Sequence, residues 1–251
     1  MPTGKRKEVP VLRRRAMVVL GAFVNAGVTA FAGACYAFVG MRLSRRHQSR
    51  ATQLFMALVA LYLVLAALRQ VAAGLENVSA DRAIFLALLI PAGYSIVPLM
   101  VVVAKIRSEK PGLARLAMYG FLAAITIGLV FAFLGGITGP TTSDWGTDWR
   151  LNSPVARALI FLAMLLPGLV ASIYLIRVGR KVGAAVGRRA TLLGWSCGVF
   201  YVVFTADALA LSGLALVLAR VLTALAATLA YVAYARHEQA DEAPETRGAT
   251  Q

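Results

Sequence analysis

The chain has 251 residues, 59% hydrophobic and only 15% charged, with a mean hydropathy of +0.73, whereas soluble domains run at about 45–50% apolar and about 25% charged. A water-soluble globule is excluded, and because a spanning helix needs roughly 20 apolar residues, the seven long apolar runs leave no room for a second folded domain. The formal charge of +15, from 26 Lys and Arg against 11 Asp and Glu, sits in short segments between those runs, so it reads as a topology signal and not as a nucleic-acid surface.

Residues 1–16 form a basic N-terminal segment carrying Lys5, Arg6, Lys7, Arg13, Arg14 and Arg15. The first apolar run extends from Met17 to Leu43 and is closed by Arg45, Arg46 and Arg50; the second covers Ala51 to Gly74. The polar turn from Glu76 to Asp81 follows, where Ser79 or Asp81 is expected to cap the next helix by accepting a backbone N–H bond. The third run, Arg82 to Ile106, contains Pro91 and Pro98, whose missing N–H groups should kink it. The fourth, Ala114 to Leu134, is stopped by Gly135, Gly136, Gly139 and Pro140.

Thr138 to Pro154 is the one long polar loop. Trp145 and Trp149 are placed in it as interfacial aromatics, and with Asp144 and Asp148 they predict a short ordered outer lid at headgroup level. The fifth run covers Val155 to Val178 with Pro167 inside. Arg189 to Arg236 is nearly unbroken apolar sequence, but as one helix it would be roughly 70 Å long, over twice a ~30 Å hydrocarbon core. It must fold back near Asp207 to Gly213, giving helices six and seven. Residues 17–236 are thus an all-α integral membrane bundle of seven transmembrane helices, followed by a polar cytoplasmic tail at 237–251.

Orientation follows from the loops. Arg42, Arg45, Arg46 and Arg50, then Lys105, Arg107, Lys110 and Arg115, then Arg177, Arg180, Lys181, Arg188 and Arg189 mark three alternate loops, which belong on the cytoplasmic side. Glu76, Asp81 and Arg82, then Asp144, Asp148 and Arg150, then Asp207 mark the others, so the expectation is N-terminus outside and C-terminus cytoplasmic. The six basic residues before the first run resist that translocation and resemble a signal-peptide flank. A start at Met17 would remove the conflict, and Ala-Gly-Ala-Cys35 gives a lipoprotein-like cleavage site as a further alternative.

Several chemistries are disfavoured by what the runs lack. His47 and His237 only flank membrane segments, so no imidazole is at depth for haem, zinc or serine hydrolase chemistry. Cys35 and Cys197 build neither a metal spacing nor a disulfide framework. The only lysines are Lys5, Lys7, Lys105, Lys110 and Lys181, so no retinal Schiff base can form in helix seven. No catalytic residue, metal site or cofactor is expected.

Ionisable groups at bilayer depth are costly, which singles out Arg69 and Arg220. Read functionally, they form a cationic pocket open to the extracytoplasmic side for an anionic ligand or headgroup, with Asp207, Glu76 and Asp144 or Asp148 as rim partners. Read structurally, they snorkel or pair, Arg220 with Asp207 for example. Asn25, Tyr94, Ser95, Ser172, Ser196, Thr205 and Thr223 are hydroxyls and amides of the kind that serve packing. The stripes Ala22, Ala26, Ala30, Ala34 and Ala215, Ala219, Thr223, Ala227 are expected helix contact faces.

The layout resembles a known family. A first helix ending in Arg45-Arg46-His47, a second with Leu68-Arg69-Gln70 near its end, a third with Ile96-Val97-Pro98-Leu99, a longer outer loop and a final close-spaced hairpin are similar to the N-terminal seven-transmembrane sensor region of bacterial histidine kinases and related signalling proteins. That resemblance implies a receptor-like or regulatory module in the cell membrane, the inner membrane of a bacterium. It would sense an extracytoplasmic or membrane-dissolved ligand and act through a cytoplasmic or membrane signalling partner. Those proteins continue into an output domain, whereas here fifteen mostly polar residues follow the last run. The lipid bilayer is the other partner, and nucleic acid is not one. A transporter or permease is the alternative, favoured by Pro91, Pro98 and Pro167 because broken helices often line substrate sites, and disfavoured by the lack of an internal repeat.

Overall fold

The computed structural model describes residues 11–45, 49–107, 111–143, 146–182, 184–207 and 214–235. Eight helical segments run α1 (Val11–Arg45), α2 (Arg50–Gly74), α3 (Val78–Tyr94), α4 (Ile96–Arg107), α5 (Pro111–Gly135), α6 (Pro154–Val182), α7 (Ala184–Asp207) and α8 (Leu214–Ala235), with strands β1 (Ile137–Ser143) and β2 (Gly146–Leu151) between α5 and α6. Six stretches are long and apolar enough to cross a membrane: Val18–Ser44, Arg50–Gly74, Val78–Ala104, Met118–Gly135, Pro154–Val182 and Ala215–Tyr234. The protein is therefore a mostly helical, multi-pass membrane protein. Helix α7 is comparably long but carries Arg188, Arg189, Ser196 and Thr205 and is not one of these six.

Local chemistry explains the boundaries. At the α2–α3 turn the backbone folds back through Leu75 N to Val71 O and Asn77 N to Ala72 O, at 3.0 and 2.9 Å. The Asn77 side chain then accepts the Ala80 N–H at 3.0 Å and caps α3. The expected caps were Ser79 or Asp81; Asn77 takes that place because the helix begins one turn earlier, which leaves Asp81 inside it. Ser153 Oγ accepts the Ala156 N–H at 3.1 Å, and Pro154 occupies the first turn of α6, where no N–H is needed.

The expected irregularity of the third span falls at Ser95, the one residue between α3 and α4 in the continuous stretch Val78–Ala104. Pro91 and Pro98 cannot donate to the preceding turn, and between them Ser95 keeps helical angles (φ −60°, ψ −29°), its N–H bonding Pro91 O at 3.1 Å and its Oγ donating to Ala92 O at 2.7 Å. The long polar loop is also more regular than expected. It is an antiparallel β-hairpin pairing Ile137 with Leu151 and Thr142 with Thr147, with an irregularity between Thr138 and Thr141. Strand β2 buries Gly146, Thr147 and Trp149, half-buries Asp148 and leaves Arg150 exposed, so its first four residues all face the bundle end. Asn152 closes its base, donating from Nδ2 to Gly135 O and from its backbone N to Gly136 O, both at 3.1 Å.

The interior is glued by aromatic edges and hydroxyls. Phe200 meets Tyr36 and Tyr62 edge to face, and Tyr62 meets Phe204 likewise. Tyr36 bonds Ser196 at 2.9 Å, Ser196 donates to Ala226 O at 2.7 Å, and Tyr201 bonds Ser95 at 3.2 Å. Of the alanine stripes, Ala22 and Ala26 are buried but Ala30 and Ala34 are exposed. A four-residue step advances about 400° around a helix of 3.6 residues per turn, so the stripe rotates off the contact face. In α8, Ala219, Thr223 and Ala227 do face inward, and Ala215 does not.

Close approach is decisive at Gly168, where a Cβ would sit 2.5 Å from the Tyr201 ring, while at Gly27 it would meet nothing within 4 Å. Gly168→Val is expected to destabilise the detergent-solubilised protein by about 1–3 kcal/mol. Gly27→Ala should be neutral or slightly stabilising. Parallel thermal unfolding scans of the two variants check the difference.

Candidate functional site

One end of the bundle gathers the C-terminus of α2, the N-terminus of α3, the hairpin, and the ends of α6, α7 and α8. Arg69 lies in the last two turns of α2 and is 6% exposed; Asp81, in the first turn of α3, is 1% exposed. Arg69 Nε stands 3.5 Å from Asp81 Oδ1, and its Nη2 is 3.7 Å from Asp148 Oδ1. The same Nη2 donates to Thr147 O. Asp81 Oδ2 accepts from Thr147 Oγ1 at 2.6 Å and from Trp149 Nε1 at 2.8 Å. The guanidinium also sits 5.4 Å from the centroid of the Phe85 ring, a cation–π distance. The helix ends favour this arrangement, since a carboxylate suits the positive end of α3 and a guanidinium the negative end of α2.

Beside this network is a cavity of about 50 Å³ whose lining includes Arg69, Gln70, Asp148, Trp149 and Arg220, with Tyr62, Leu88 and Phe204 among its apolar walls. A water needs roughly 10–15 Å³ measured this way, so several waters or a few ligand atoms fit. Gln70 is 2% exposed and its Oε1 has no hydrogen-bond partner among the described residues. Gly146 lies against it with φ +128°, and a Cβ there would run into Gln70 Oε1. Only glycine therefore closes the hairpin over this side chain.

The two arginines singled out in the sequence thus line one cavity, although they come from α2 and α8, and Asp148 joins Arg69 there. Trp149 is not an interfacial aromatic: it is 6% exposed and points its N–H inward at Asp81. Glu76 is exposed in the α2–α3 turn at φ +55° and does not line the cavity. The side chain of Asp207, and Asp144 and Trp145 altogether, lie outside the described residues. Sequence reasoning missed Asp81 and Gln70. The available signal was that a buried Arg69 needs a carboxylate at its own depth, and Asp81 is the acidic residue one turn into the following helix.

Chemically, the cavity offers guanidinium donors, one amide and the Asp148 carboxylate, which is paired with Arg69. Arginine stays protonated at any working pH, so it binds anions and does not exchange protons. Among the described residues no group of three or more His, Cys, Asp or Glu is placed to hold a metal ion. No protein-family model, curated protein or solved structure matches the chain.

Removing one partner of a buried pair leaves the other charge uncompensated. Asp81→Asn should therefore cost about 3 kcal/mol of stability and free Trp149, whose emission should shift to the red when Trp145 and Trp195 are replaced by Phe. Adding Arg69→Met should recover part of the loss, and a double-mutant cycle in detergent should return a coupling of about 0.5–3 kcal/mol.

Proposed function

We propose that the chain is a seven-transmembrane receptor-like or regulatory module that senses a small anionic ligand at the cavity beneath the hairpin and acts through a partner protein. The observation that carries this reading is the convergence of Arg69 and Arg220, from helices far apart in sequence, on one cavity closed by the hairpin. An anion between them would tie α2 to α8. Both helices run to the opposite end of the bundle, where a cytoplasmic or membrane signalling partner can read a change in their separation. Two guanidiniums, an amide and one carboxylate that is paired with Arg69 suit binding, so the module is read as non-enzymatic.

The hairpin end is assigned to the outside, with the N-terminus outside, the C-terminus cytoplasmic and α7 counted as the seventh span. What supports it is the charge distribution: the opposite end carries Arg42, Arg50, Arg107, Arg115, Arg177, Arg180, Lys181, Arg188 and Arg189, as cytoplasmic ends do. The layout likeness to histidine kinase sensor regions agrees with this placement and with a bacterial inner membrane. A transporter is the second reading, favoured by Pro91 and Pro98 on either side of Ser95, since each proline leaves a carbonyl of the preceding turn without its N–H donor and proline-interrupted helices often line substrate sites.

A reporter fused after Arg236 should register as cytoplasmic and one inserted after Thr142 as external; both on one side would overturn the seven-span topology. For the ligand, the purified full-length protein is screened by thermal shift against small carboxylates and phosphates. A bound anion at about 100 times its Kd should add about 2.7 kcal/mol of stability, and Arg220→Gln should abolish the shift. No shift with any anion, or the same shift in Arg220→Gln, overturns the reading. Accumulation of the labelled anion in sealed proteoliposomes would replace the receptor with the transporter.

A further inference from the structure

A second cavity, of about 40 Å³, lies between α6 and α7 and is lined by Leu151, Arg157, Ile160, Phe161, Met164, Phe204 and Thr205. Its chemistry is one-sided. Thr205 spends its hydroxyl on Tyr201 O at 2.7 Å, which leaves Arg157 as the one polar group of the lining with donors to give. Arg157 is half-buried, its Nε is buried with no hydrogen-bond partner among the described residues, and the two ion pairs described above both belong to Arg69. A guanidinium facing apolar walls needs an anion or water on its donors.

The shape supplies the rest. Arg157 is in the first turn of α6, and Met164, 1% exposed, lies seven positions deeper, about 10 Å at 1.5 Å per residue. Phe161 stands between them and is 37% exposed on a helix whose outward residues Leu162 and Val170 are exposed apolar groups, so the slot reaches the surface that meets hydrocarbon. A single cation at the polar end of an apolar, laterally open slot matches an amphiphile with an acid headgroup. We propose that this cavity binds an acidic amphiphile from the surrounding leaflet, its carboxylate or phosphate on Arg157 and the first carbons of its chain between Phe161 and Met164, the rest of the chain lying along the outer face of α6. The shared chemistry is an acid group on a hydrocarbon chain, and its source is a free fatty acid or an anionic phospholipid.

The test uses the full-length protein in a neutral maltoside detergent and a palmitate analogue with a diazirine in its chain. After photolysis, peptide mapping should place the label on residues 157–164 and 200–205. Arg157→Gln should weaken labelling about tenfold, the loss of one charged hydrogen-bonding partner, and Arg157→Lys should keep part of it. Met164→Trp, which fills the slot and leaves the charge, should also abolish it. Oleate competing without phosphatidylglycerol assigns the free acid, and the reverse assigns the phospholipid. Label spread evenly over Leu162, Val170 and other outward residues, labelling unchanged in Arg157→Gln and Met164→Trp, or equal competition by phosphatidylcholine overturns the proposal. Wild-type labelling and competition give the answer even where a variant does not fold.

Discussion

The pairing of Arg69 with Asp81 is the constraint around which the hairpin end is organised. Two charges held at 6% and 1% exposure cost far more in desolvation than an exposed pair, and attraction alone offsets this only when their remaining hydrogen-bonding positions are filled. The hairpin fills those of Arg69 Nη2 and Asp81 Oδ2, while among the described residues Arg69 Nε and Asp81 Oδ1 have only each other, at 3.5 Å. Thr147 and Trp149 both donate to Asp81, and Thr147 O accepts from Arg69, so strand β2 is bound to the helices by the groups that make the ion pair tolerable. A short two-stranded hairpin is marginal by itself. Here its order comes from the site it covers, and the site's low dielectric depends in turn on the hairpin.

Below that level the protein uses weaker means. Lipid offers no hydrophobic gain for joining two apolar helices, so contact depends on close packing and interhelical hydrogen bonds. Gly168 against Tyr201 and Gly194 against the Ser172 backbone bring α6 and α7 together at backbone distance. Ser172, Ser196 and Tyr36 then place hydrogen bonds between helices, whereas Thr29, Thr223 and Thr228 return theirs to their own helix and Thr126 does both, donating to Leu122 O and bonding Tyr94 across to α3. Ser95 likewise does both, donating to Ala92 O one turn back and bonding Tyr201 of α7.

The helical architecture was legible because apolar runs of spanning length are the strongest signal a sequence carries, and the runs expected for helices two, four and five agree with α2, α5 and α6 to within a few residues at each end. Arg69 and Arg220 stood out for a physical reason, since charge at depth demands compensation. Their meeting in one cavity was not readable, because it depends on how α2 and α8 pack. Asp81 was misread as a cap: from sequence, an acidic residue at a helix start has an adequate local explanation, and only the position of Asn77 shows that the cap is already filled. The hairpin was read as a lid without strands, because Gly139, Pro140 and Gly146 interrupt the alternation that marks a strand, and Trp149 was placed at headgroup level because the buried carboxylate that draws it inward lies 68 residues away.

Helix α7 shows where hydropathy and burial part company. From Leu193 to Thr205 only Trp195 and Val202 are exposed, so most of its surface meets protein. Its polar groups find their partners there: Ser196 with Tyr36 and Ala226, Tyr201 with Ser95, Thr205 with its own preceding turn. The penalty for polarity in a membrane falls on groups that face lipid, and a helix enclosed by its neighbours can carry hydroxyls and glycines that lower its mean hydropathy without that cost. The same enclosure makes α7 a shared wall. Phe204 lines both the Arg69–Arg220 cavity and the Arg157 cavity, as do Leu151 of the hairpin and Ile160 of α6. A displacement of α7 that moves Phe204 alters the volume of both at once, so the two cavities share a wall built from α6, α7 and the hairpin.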